Sequence, residues 1–114
     1  MKVISIKENS DFKRLYYRGK SVVRGNIALY YRRNAFSYNR LGLTVSPKVG
    51  NAVTRNRIRR TIKENYRLLQ GLSQGYDIVI VARKRSVNAT FYDFKKDLES
   101  ALCEGGLLKG NETD

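Results

Sequence analysis

The stretch that decides the fold is Gly50–Arg67, G-N-A-V-T-R-N-R-I-R-R-T-I-K-E-N-Y-R. At roughly 100° per residue, Ile58, Ile62, Tyr66 and, just beyond, Leu69 gather on one side of a helix. Asn56, Arg59, Arg60, Lys63 and Arg67 gather on the other, and Arg57 flanks them. One face suits a core and the other a polyanion. Six basic residues (Arg55, Arg57, Arg59, Arg60, Lys63 and Arg67) stand against the single acid Glu64. Like charges at i,i+4 spacing repel one another. A bound polyanion relieves that cost; a merely solvated face is the alternative reading.

Both flanks of this helix read as strands. Before it, Leu41, Leu43 and Val45 alternate with Gly42, Thr44 and Ser46, and Pro47–Asn51 breaks the pattern. The helix is expected to run to about Leu69, with Gly71 and Gly75 bracketing its exit. After it, Tyr76–Arg83 is almost continuously apolar, the pattern of a strand near a sheet centre. Two strands joined through a helix are expected to lie parallel, and statistics alone favour a right-handed crossover.

Further out, Asn9 or Ser10 is expected to cap a first helix carrying Phe12, Leu15 and Tyr16, with Gly19 as its stop. Val22–Arg24 and Ile27–Arg32 read as strands turned by Gly25-Asn26. In the second strand, Ile27, Leu29 and Tyr31 face one side and Ala28, Tyr30 and Arg32 the other. Asn34–Asn39 reads as a polar, mobile hairpin tip. Asn88 or Thr90 caps a last helix with Phe91, Phe94, Leu98, Ala101 and Leu102 inward, ended by Gly105-Gly106. The order is helix, three strands, helix, strand, helix: one α+β domain across 1–114, with about 1–5 and 110–114 expected to fray.

Composition narrows the chemistry. The chain has 114 residues, 23 Lys plus Arg and 10 Asp plus Glu, for a formal net charge of +13. Such a balance points to an anionic polymer, nucleic acid before membrane. No apolar run approaches the length of a membrane span, and no secretory signal is visible near the start, so a cytoplasmic location and no membrane partner are expected. The single Cys103 rules out an internal disulfide. Histidine is absent, removing the commonest general base and a favoured metal ligand. Asp93 and Asp97 share a helical face and could hold magnesium weakly, but solvated helix positions are the plainer reading. No catalytic residue is assigned.

Val53-Thr54-Arg55-Asn56-Arg57-Ile58-Arg59-Arg60 resembles the R-N-R-x-[KR]-R signature of the bacterial ribonuclease P protein component. Ser10-Asp11-Phe12, Tyr16 and Gly19-Lys20-Ser21 match in order before it, as do Arg40–Ser46 and, after it, Tyr76–Lys84. The likeness runs from Ile6 to Lys109. Pro47 stands where lysine is frequent, and Tyr16 where phenylalanine is. The resemblance implies a four-stranded α/β sandwich of the ribosomal S5 domain 2-like kind, with a left-handed β-α-β crossover. It also implies the protein subunit of a ribonucleoprotein endonuclease that removes the 5′ leader of precursor tRNA, its reactive groups in the RNA. The holoenzyme would require magnesium, with no cofactor tightly bound by the protein and no protein partner required.

Two surfaces follow. Arginine offers phosphate a planar, permanently charged fork. By resemblance Arg55, Asn56, Arg57, Arg59, Arg60 and Lys63 face the catalytic RNA subunit, with Lys48 helping from the preceding loop and Arg67 further along the same face. Asn56 either donates to RNA or fixes the helix entrance. Phe12, Tyr16 and Tyr30 could be ordinary core aromatics, or could stack unpaired bases at about 1–3 kcal/mol each. The resemblance places them in a cleft for the leader, with Arg83 and Lys84 near it. A structured-RNA binding module, a protein nuclease and a non-selective polycation are the rival readings.

Overall fold

The computed structural model describes residues 2–109. Helix α1 spans Asn9–Arg18, and strands β1, β2 and β3 span Lys20–Arg24, Ile27–Arg33 and Arg40–Val45. A short 3-10 turn at Pro47–Val49 leads into α2, Ala52–Arg67. Strand β4, Tyr76–Ala82, a second 3-10 turn, Lys84–Asn88, and α3, Phe91–Glu104, complete the chain. The strands lie in the order β1-β2-β4-β3. β4 pairs antiparallel with β2 and parallel with β3, as the helical connection requires.

Local chemistry sets the ends. Gly25 adopts φ +48° at the first position of the two-residue β1–β2 loop, and no other residue type has positive φ among those described. Glycine at that place suits a II′ turn, whose twist matches the strands. Thr90 caps α3 in a reciprocal capping box with Asp93. α2 is capped by Asn51, whose side chain accepts from Thr54 N at 2.9 Å, and stops at Arg67, with Leu68 as its exposed C-cap. The first helix departs from expectation: it begins at Asn9, and Glu8 precedes it without a side-chain cap.

Alternation divides the sheet between two layers. Ile27, Leu29, Leu41, Val45, Ile78 and Ile80 form one core with Ile58, Ile62 and Tyr66 of α2 and Phe94, Leu98 and Leu102 of α3. On the opposite face α1 lays Leu15 against Val79, with Ile6, Phe12, Tyr30 and Val81 around them. All four residues assigned to the inner face of α2 are buried.

Leu41 fixes the hand of the β3–α2–β4 crossover. Its side chain joins the α2 core, while its N–H donates to Ile4 O at 2.8 Å and its C=O accepts from Ile6 N at 2.9 Å. Viewed from α2 with β3 rising, an L-residue pointing at the viewer directs its N–H and C=O to the right. Ile4–Ile6 therefore lies right of β3 and β4 left, a left-handed connection, against the usual statistics and as the resemblance implied.

Two further expectations change. Fraying through residue 5 does not hold for residues 4 and 5, because Leu41 binds this segment and Ser5 bridges Leu41; residues 110–114 lie outside those described. Asn34–Asn39 is not a hairpin tip, since β4 inserts between β2 and β3. Asn34 holds it to Asp77, and Asn39 holds it to Ser73 O and Tyr76 N.

Candidate nucleic-acid interface

The outer face of α2 is sorted by what each side chain touches. Asn56, Arg59, Arg60 and Lys63 line one groove of about 540 Å³. Asn56 is not the helix cap, since Asn51 fills that role; its Oδ1 accepts from Arg59 at 3.3 Å, leaving its amide nitrogen free to donate. Arg55 donates to Gly50 O at 3.2 Å and Arg57 to Val87 O at 2.7 Å, so both also brace the helix. Arg67 pairs with Glu64 at 2.7 Å and does not line the groove. That pairing holds the Glu64 carboxyl below its usual range. Lys48 is exposed on the turn before α2. Ser46 caps that turn by accepting from Lys48 N, and Pro47 occupies its first position, where a missing N–H costs nothing.

Apart from Phe12, the opposite wall of the groove was not anticipated from sequence. It consists of Val3, Ser5 and Ile6 together with Leu41, Gly42, Leu43 and Phe12. Only Gly42 left a signal, a glycine inside an alternating strand, which marks a close approach. A Cβ there would stand 2.6 Å from two ring carbons of Phe12.

From Phe12 the aromatic surface continues along α1. Tyr16 and Tyr30 meet edge to face with centroids 5.0 Å apart, and the Tyr16 hydroxyl shares a 2.9 Å hydrogen bond with the Thr44 hydroxyl. Tyr16 is 39% exposed and Tyr30 half-buried. The three aromatics thus share one side of the sheet, partly open to solvent. Arg83 and Lys84 lie beyond the end of β4, both exposed. Arg83 donates to Gly25 O at 2.7 Å, and neither residue lines the groove with Phe12.

No group of three or more His, Cys, Asp or Glu side chains gathers among the described residues. Asp93 is occupied in the α3 capping box, and Asp97 accepts from Asn26 N and Nδ2, both at 2.8 Å. No helix among the described residues is long and apolar enough to cross a membrane.

A family model described as Ribonuclease P matches residues 1–104. The chain belongs to the ribonuclease P protein family. It is 39% identical over 112 residues to the ribonuclease P protein component of Thermoanaerobacter sp. (strain X514), covering 97% of both chains. It is 46% identical over 111 residues to that of Clostridium botulinum (strain Loch Maree / Type A3), covering 96% of this chain and 95% of the relative. The ribonuclease P protein of Staphylococcus aureus superposes with TM-score 0.85 at 34% identity, over 95% of this chain and 100% of that one. The Thermotoga maritima protein gives 0.76 at 29% identity, over 82% and 90%. Ribonuclease P membership carries a role in tRNA processing within a ribonuclease holoenzyme, and an RNA partner.

Proposed function

We propose that the chain docks on the catalytic RNA subunit of ribonuclease P through α2 and holds the 5′ leader of precursor tRNA in the aromatic cleft. The supporting observation is a continuous surface. Phe12, at one end of the Phe12–Tyr16–Tyr30 row, lines the same groove as Asn56, Arg59, Arg60 and Lys63. A strand of RNA lying on the aromatics would therefore adjoin the helix that meets the ribozyme. The arginines neutralise phosphate repulsion between the two RNAs, and the aromatics bind unpaired bases without reading their identity. The protein raises affinity for uncut transcript over mature tRNA and leaves hydrolysis to the RNA. The absence of histidine from the sequence and the scattered carboxylates accord with that division, and the magnesium required would be held by RNA.

Cleavage of precursor tRNA by protein alone, RNA alone and both together tests this reading. We expect none from the protein, slow cleavage from the RNA at high magnesium, and fast cleavage from the pair at low magnesium. Cleavage by protein freed of all RNA would reject it. Tyr30→Ala should lower affinity for a leader-bearing substrate by about tenfold, as loss of one stacked base implies, and leave mature tRNA unaffected.

A further inference from the structure

A second basic surface lies where α1 and β2 end, with Lys20, Tyr31, Arg33 and Tyr76 on the α3 side of the sheet and Arg32 on the cleft side. Arg18 ends α1, Lys20 opens β1, and Arg32 and Arg33 end β2; with Tyr31 and Tyr76 they line a cavity of about 260 Å³. No carboxylate lines it. Among the described residues the ion pairs involve Arg14, Arg24, Arg40, Arg67 and Lys95, and none of these four cations. The Arg33 guanidinium lies 5.4 Å from the Tyr76 ring centroid. α3 ends beside the cavity at Gly105. A helix C-terminus favours positive charge by about 0.3–1 kcal/mol; with α1 also ending here, at Arg18, that accounts for two cations and not four. Such a cluster raises the self-repulsion of the free protein and is relieved by a bound polyanion.

The fold indicates which polyanion. Tyr30 and Arg32 point to the same face of β2, two residues and about 7 Å apart. Arg18, the last residue of α1, points away from the Tyr16 face of the helix and lines the cavity. The α2 groove lies at the β3 side of the sheet, whereas β1 and β2 lie at the other. If the ribozyme docks on α2, the scissile phosphate is held on that side. The leader must then depart toward β1 and β2. We infer that Arg18, Lys20, Arg32 and Arg33 form a phosphate-binding subsite for the upstream part of the leader, reached round the C-terminal end of α1, where Tyr17 is 86% exposed. The inference rests on the proposed leader cleft and extends it.

The test uses the reconstituted holoenzyme and precursor tRNAs whose leaders are lengthened one nucleotide at a time, with mature tRNA as reference. Wild-type affinity should rise in two stages, the first lost in Tyr30→Ala and the second in the Arg18→Gln/Arg32→Gln double variant. The double variant should bind the longest leader about tenfold more weakly, with a salt dependence flatter by about 0.7 per lost phosphate contact. Its affinity for short leaders and mature tRNA should be unchanged. A full second stage in the double variant, or equal losses on every substrate, overturns the subsite while leaving the cleft intact. An affinity that ignores leader length in the wild-type protein overturns both. Independently of any variant, a photoreactive nucleotide upstream in the leader should crosslink to residues 18–20 or 32–33 of the wild-type chain; crosslinks only elsewhere, Tyr30 included, overturn the subsite.

Discussion

Gly42 is the residue on which the cleft wall turns. Its missing side chain lets the Phe12 ring lie directly on β3. Gly42→Ala should displace that ring and cost about 1–3 kcal/mol, the usual penalty of overpacking. Denaturant unfolding measures the loss, and leader affinity should fall with it; a wild-type midpoint would show that Phe12 is not seated there. The strand position of Gly42 was readable from alternation, but its partner was not, because Phe12 comes from a separate helix. Arg57 and Arg60 make a second contrast. Arg57 reaches Val87 O, whereas Arg60 is exposed and lines the groove. Arg60→Ala should leave stability within about 0.5 kcal/mol and flatten the salt dependence of RNA-subunit binding by about one unit. Arg57→Ala should do that and also lose about 1–2 kcal/mol of stability, as a charge-assisted bond goes. Equal thermal midpoints for the two variants would dismiss the bracing role. Both look alike in sequence, since periodicity gives a direction and not a partner.

Between elements, one ionic network ties α1, β3 and β4 together. Arg40 grips Asp77 through both carboxylate oxygens, Nε to Oδ1 at 2.8 Å, and reaches Asp11 at 3.3 Å. Burial opposes ionisation of Asp77, yet the bonds from Arg40 and Asn34 and the Arg40 charge outweigh it, and the carboxyl sits below its usual range. The unfolded chain therefore binds the proton more readily than the folded one. Stability from this group is complete above about pH 5 and is lost as pH falls through the lowered folded value. Asp77→Asn should cost about 1–3 kcal/mol at neutral pH, and the gap to wild type should narrow toward about pH 3. A gap independent of pH, measured by urea unfolding, would exclude the ionic contribution. Nothing in the apolar run Ile78–Val81 foretold an acid tethered at its head. Strand identity and the central place of β4 were legible in that run. The insertion of β4 between β2 and β3 was not, because sheet order depends on long-range pairing that local pattern does not encode.

At the scale of the whole molecule, the α2 face was legible because one helix concentrates it, and the aromatic row because Phe12 and Tyr16 are one turn apart. The hand of the crossover came from family likeness alone, since spacing is blind to chirality. The groove's far wall was hidden because Val3, Ser5 and Ile6 look like an ordinary chain start. Their placement has a practical consequence. Anything spliced ahead of Val3, such as a purification tag and its linker, begins at the mouth of the cavity where Arg59, Arg60 and Lys63 converge. A fusion at that end should slow holoenzyme assembly, and an acidic one should do so most in dilute buffer. Protease removal of the tag should restore the untagged rate, as followed by the onset of leader cleavage after mixing.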